Sequence, residues 1–136
     1  MEQEKILHLE FIQNIINRMN SNSFQIKEWM ITIVSALLAL YASSDNVTYI
    51  FVAIVPTLLF WYLDAYYLQL ERKFRGLYDD VKDPEKSIPF FSMDITNYKD
   101  GRFKFCECLF SKTTAPLYLL IAGFLFFGGL YLMKVI

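Results

Sequence analysis

Asp64 follows a run, Asn46 to Leu63, that holds no Asp, Glu, Lys or Arg, and it lies close after Trp61 and Tyr62. An ionisable group at such a place is costly unless it is hydrated or paired. Its functional reading is a pore-mouth or gating carboxylate. Its structural reading, the weightier one, is an interfacial acid hydrogen-bonded to tyrosines or paired with Arg18 or Lys27 of a neighbouring helix. Glu71, Arg72, Lys73 and Arg75 have the chemistry to recognise anionic headgroups or a signalling nucleotide, although a charge run leaving a membrane also serves as a positive-inside stop signal. Cys106-x-Cys108 offers two ligands of a zinc-type site that needs four. His8 is the one histidine and there is no further cysteine, so reduced structural thiols are expected, and a metal such as copper(I) only across subunits. Asp79, Asp80 and Asp83 read as a solvated helix end. No Gly-rich phosphate loop, nucleophile elbow or HExxH occurs, so neither catalytic residues nor a cofactor are expected. A net charge of −1 gives no field for nucleic acid.

The elements that must position these groups follow from hydropathy. The chain is 55% hydrophobic and 18% aromatic, above the roughly 45–50% apolar content of a soluble domain. Three runs lack charge: Trp29–Ser44, Asn46–Leu63 and Thr113–Met133. A spanning helix takes about 20 apolar residues. The second and third runs suffice, whereas the first needs Ile26 or the polar residues near Ser44, or else forms a re-entrant hairpin with the second. The acid-rich start, Met1 to Glu10, does not fit a cleavable signal.

Lysine and arginine set the orientation. Residues 1–28 hold three, the Ser43–Asn46 loop none, residues 64–112 nine, and the C-terminal end only Lys134. The N-terminus and the middle segment are therefore expected in the cytoplasm and the C-terminus outside. The sequon Asn46-Val47-Thr48 abuts the bilayer and carries no weight.

The expected fold is an all-α integral membrane protein forming a single membrane domain over 1–136. Residues 1–25 form a cytoplasmic amphipathic helix with a stripe at Leu9, Ile12, Ile16 and Met19, ended by Asn20-Ser21-Asn22-Ser23. Residues 26–44 make span 1, with a small-residue ridge at Ser35, Ala39 and Ser43. Residues 46–81 make span 2 and a cytoplasmic helical extension, whose seam is Tyr67, Leu70, Phe74, Leu77 and Val81. Pro56 inside it frees the carbonyl of Val52 and should face protein or water, or bend the helix. Residues 82–112 form a cytoplasmic insert, with a small hairpin expected from Phe90–Thr96 to Arg102–Phe105. Residues 113–134 make span 3, with Ala115, Ala122 and Gly129 spaced by seven. The small-residue stripes and the seam point to a homo-oligomer. With Thr32, Ser35 and Thr57 in the spans but no ring of charge, any pore would be hydrophobically gated and poorly selective.

The runs Asn17-Arg18-Met19 through Lys27-Glu28-Trp29 and Phe60-Trp61-Tyr62-Leu63-Asp64 through Glu71-Arg72-Lys73-Phe74-Arg75 carry a resemblance. Over residues 10–81 the chain resembles the small bacterial membrane effectors of nucleotide-triggered antiphage systems, the SLATT-like helical-hairpin class. Its third span departs from their two-span pattern. The resemblance implies an inner-membrane effector that associates to open a pore or disrupt the bilayer, controlled by a sensor or nucleotide-signalling protein encoded nearby. Asp64, Thr32, Ser35, Pro56 and Thr57 are then the pore or gating candidates. The alternative is a non-conducting scaffold or immunity-type protein that binds a partner through residues 82–112.

Overall fold

The computed structural model describes residues 2–89 and 91–135, and it is all-helical there, with no strand. Helix α1 runs Glu2–Ser44, α2 Thr48–Lys82, a 3-10 turn Gly101–Phe103, α3 Phe105–Leu109 and α4 Ala115–Val135. Helices α1, α2 and α4 are each long and apolar enough to cross a membrane.

The first departure from the sequence reading is that α1 does not break at Asn20–Ser23. Its buried positions are His8, Ile12, Ile16, Ser23, Ile26, Met30 and Val34, a stripe in steps of three, four or seven that passes through the polar tetrad. Asn and Ser each cost a few tenths of a kcal/mol in a helix interior, which packing along a continuous face outweighs. Ser23 does not cap a new helix; its hydroxyl is used across the fold, as described below. Uninterrupted, α1 contains a stretch long and apolar enough to cross a membrane.

Helix α2 matches expectation closely and is unbroken through Pro56, which is half-buried beside the fully buried Thr57. Thr57 Oγ1 donates to the Ala53 carbonyl at 3.0 Å. Between α1 and α2, Asp45 adopts φ 57° and its N–H donates to Tyr41 O at 2.7 Å. Asn46 Oδ1 accepts the Thr48 N–H at 3.1 Å, so the sequon side chain is occupied in the turn.

Two apolar cores result. One joins Met30 and Val34 of α1, Ile50 and Ala53 of α2, and Tyr118 and Leu125 of α4. The other joins Ile12 and Ile16 to Leu77 and Val81, with Phe74, Ile88, Met93 and Tyr98 around them. The two amphipathic stripes therefore pack on each other as anticipated, and Phe74, Leu77 and Val81 of the α2 seam are covered within the chain. Gly129 of the third small-residue stripe is also used internally, since a Cβ there would meet the Phe51 ring at 2.9 Å. Gly129→Ala should lower stability by about 1 kcal/mol, because Phe51 must move. Gly123→Ala, which meets nothing within 4 Å, should be neutral. Thermal unfolding in micelles reads both.

The insert is not a hairpin. Phe90, the start of the expected first arm, lies outside the described residues; the second arm is the 3-10 turn followed by α3. Its aromatic residues face the long helices rather than a partner strand, Phe91 lying against His8 and Phe11 of α1. Phe103 and Tyr98 lie against Gly76, where an added Cβ would meet Phe103 at 2.8 Å, and Phe105 stacks on Tyr62 with ring centroids 4.9 Å apart.

Candidate functional site

Asp64 of α2 is fully buried, and the two other long helices supply its partners. From α1 come Ser23, whose hydroxyl donates to Oδ1, and Lys27, whose Nζ lies 2.5 Å from Oδ2. From α4 comes Tyr118, itself fully buried, whose hydroxyl donates to Oδ2 at 3.0 Å. Lys27 Nζ also donates to Ser23 Oγ at 3.1 Å, closing the network. Among the described residues no buried side-chain polar atom lacks a partner. A buried charge is tolerated only when paired and hydrogen-bonded, and both conditions hold here. The structural reading of Asp64 is thus met through Lys27. The tyrosine is Tyr118 from α4, however, not one of its sequence neighbours.

The other pore candidates are not gathered around Asp64. Thr32 and Ser35 sit on the exposed face of α1, and the Thr32 hydroxyl donates to its own helix at Glu28 O, 2.9 Å. Thr57 is buried inside the protein and Pro56 half-buried. Ser35 does border an apolar groove of about 390 Å³ between α1 and α4, walled by Ile31, Leu38, Leu120 and Phe124. The ridge Ser35, Ala39 and Ser43 remains on the outside.

The charged run on α2 is split by the insert. Glu71 is buried, and its Oε1 accepts Arg75 Nη2 at 2.9 Å. Arg72 turns the other way, donating Nη1 to Arg102 O at 2.9 Å and contacting Cys108 Sγ at 3.7 Å. Lys73 is half-buried. Arg72, Arg75, Arg102 and Lys112 border an open cleft of about 790 Å³ together with Glu71 and Glu107.

No family model, curated protein or solved structure matches the chain. The site must therefore be read from its own chemistry.

The two cysteines differ sharply. Cys106 is exposed and Cys108 buried, and burial pushes the Cys108 thiol up. Maleimide should label Cys106 readily and Cys108 only after unfolding; mass spectrometry of the labelled chain checks this. Among the described residues no group of three or more His, Cys, Asp or Glu is placed to hold a metal. His8 is a packing residue: it is buried, lies 5.7 Å from the Phe91 ring, and its Nε2 is 2.9 Å from Ser92 O.

The acidic end of α2 does more than face solvent. Asp80 holds Lys86 Nζ at 2.8 Å and accepts the Tyr98 hydroxyl, and Asp79 lies 3.6 Å from Arg102. The Lys86 and Tyr98 hydrogen bonds draw the Asp80 carboxyl below its ordinary 3.8, and Asp80 raises Lys86 above its ordinary 10.5. A lowered carboxyl contributes above its unfolded value and loses that contribution as pH falls through the folded one. A raised amine contributes below its unfolded value and is lost as pH rises through the folded one. The clasp should thus be intact across neutral pH and open at both extremes. Amide hydrogen exchange at Tyr98, after correction for intrinsic rate, should rise below about pH 4 but not between pH 6 and 8.

Proposed function

We propose that this chain is a bacterial inner-membrane effector whose resting form is held by the Lys27–Asp64–Tyr118 cluster, and that its release on self-association opens or disrupts the bilayer. The observation that carries this reading is a charged pair placed where lipid would surround the spans. Counting about 1.5 Å per residue, Thr48 to Tyr67 covers a hydrocarbon core about 30 Å thick. Asp64 then lies roughly one turn inside the inner boundary, as does Tyr118 from Ala115 and Lys27 from Phe24. An apolar contact of the same volume would usually be as stable as such a pair, or more so. An ionic one ties three helices together in a form that can be undone. In this reading N- and C-termini lie on opposite sides, and the free ridge Ser35, Ala39 and Ser43 is where copies meet. The effector carries out no catalysis and answers to a sensor or nucleotide-signalling protein encoded nearby, as the SLATT-like resemblance implies.

Membrane depolarisation on induced expression tests it, with protein levels followed by blot. Asp64→Asn should depolarise cells at levels where the native chain does not. No depolarisation by either form, at equal membrane levels, would overturn the effector reading. The second reading, a non-conducting scaffold working through residues 82–112, would then stand. It has its own support: the span hydroxyls of Thr32, Thr57 and Ser43 all donate to their own helices and need no water-filled lumen. Cysteine accessibility at Ser44 and Ser87, in a chain carrying Cys106→Ser, checks the topology. Labelling of both from one side would rule it out.

A further inference from the structure

We propose that the cleft between α2 and the insert is a binding site for the phosphate of an anionic lipid of the cytoplasmic leaflet, with Arg72 and Lys112 as its principal ligands. The Arg72 guanidinium has only a backbone carbonyl and a thiol as partners, and among the described residues no carboxylate lies within ion-pair distance of it. Its remaining donors are open to the cleft, and their fork geometry suits a phosphate. Lys112, across the same cleft, is exposed and likewise without a carboxylate partner among those residues. The remaining cations of the cleft are already engaged, Arg75 by Glu71 and Arg102 by Asp79. Two open positive charges thus border the open cleft of about 790 Å³, against one open carboxylate, Glu107, on the same rim.

The position of the cleft selects lipid over a soluble phosphate, and here the inference rests on the membrane placement proposed above. Arg72 falls five residues beyond Tyr67, about 7 Å along the helix, which is the depth of a headgroup layer. Lys112 stands just before α4, and Phe110, on the same cleft, is 65% exposed. Phe110 packs edge-on against Trp61 at 5.9 Å, and Trp61 Nε1 donates to Leu109 O at 2.8 Å. An aromatic ring beside the cations offers acyl contact where the phosphate is held.

The test uses the full chain in nanodiscs of phosphatidylcholine doped with phosphatidylglycerol, counting retained lipids by native mass spectrometry. Recovery in pure phosphatidylcholine discs checks the membrane placement separately. The native chain should retain phosphatidylglycerol about tenfold over phosphatidylcholine. Arg72→Gln and Lys112→Gln should each remove most of that preference, with Lys99→Gln unchanged. Lys112 is exposed and its side chain makes no hydrogen bond or ion pair among the described residues, so Lys112→Gln leaves the polar contacts of the fold in place. Absence of a preference in the native chain, or one that survives Lys112→Gln and Arg72→Gln, would overturn the site. Inorganic phosphate that displaces phosphatidylglycerol at equal concentration would overturn the lipid as its source.

Discussion

Asp64→Asn is expected to destabilise the protein by about 3 kcal/mol, and Lys27→Gln by about 3–5 kcal/mol, while the double variant recovers a substantial part of the combined loss. The asymmetry follows from burial. Asp64 is 0% exposed and Lys27 22% exposed at the side chain, so an orphaned carboxylate is worse placed than an orphaned ammonium, which retains some water. An asparagine keeps the shape of Asp64 and accepts from Ser23 or Tyr118, but it does not neutralise Lys27. Sequence alone suggests that an asparagine there would be nearly silent if Asp64 merely accepted hydrogen bonds; the Lys27 contact removes that expectation. With amides at both positions, the two side chains can hydrogen-bond to each other without net charge, and a coupling of about 1–3 kcal/mol should be measured. Unfolding by denaturing detergent, followed by tryptophan fluorescence, reads all four forms. Additive single variants would show that the ion pair contributes no coupling. Tyr118→Phe should cost less, about 1–2 kcal/mol, since it withdraws one of three bonds.

The second large effect is expected at Leu77, which is 1% exposed and packs against Ile12 and Ile16. Leu77→Ala should cost about 3 kcal/mol through lost burial and the cavity left behind. Its consequence should be local. The core around Leu77 holds only the first half of α1 against α2 and the insert, whereas Met30, Val34 and Tyr118 belong to the other core. Hydrogen exchange should therefore accelerate over residues 5–19 and much less over residues 28–40. Uniform acceleration along α1 would mean that the two halves unfold as one unit.

These contacts show where sequence pattern is enough and where it fails. The extent of α2 is legible almost to its ends because its apolar spacing is sustained and Pro84 follows its last turn. The stripe of Ile12 and Ile16 and its pairing with Leu77 and Val81 are legible for the same reason. The false break at Asn20–Ser23 comes from treating polar residues as local stop signals. Ser23 instead contacts Asp64, 41 residues away, and no local pattern encodes that. Tyr118 is hidden inside an uncharged run, although a buried carboxylate at Asp64 demands a donor and a tyrosine one turn into a span is a fitting one. In the insert, alternating aromatic and polar residues suggest a strand. Gly76 on the facing helix is the missing signal: only a residue without a side chain lets Phe103 and Tyr98 approach the α2 backbone. The pairing of Arg72 with a carbonyl rather than a carboxylate also depends on where the insert folds back, which spacing does not reveal.

The uninterrupted course of α1 has a mechanical meaning. A helix of 43 residues gripped at Ser23 and Lys27 is a lever with its fulcrum near the middle. The arm from Lys27 to Glu2 is about 37 Å and the arm from Lys27 to Ser44 about 25 Å, at 1.5 Å per residue. With no hinge at Asn20–Ser23, a sideways push of about 3 Å on the N-terminal tip swings the far end about 2 Å the opposite way. Two adjacent glycines in place of Ser21 and Asn22 would uncouple the arms, leaving the fulcrum and both cores in place while ending the transmission between them.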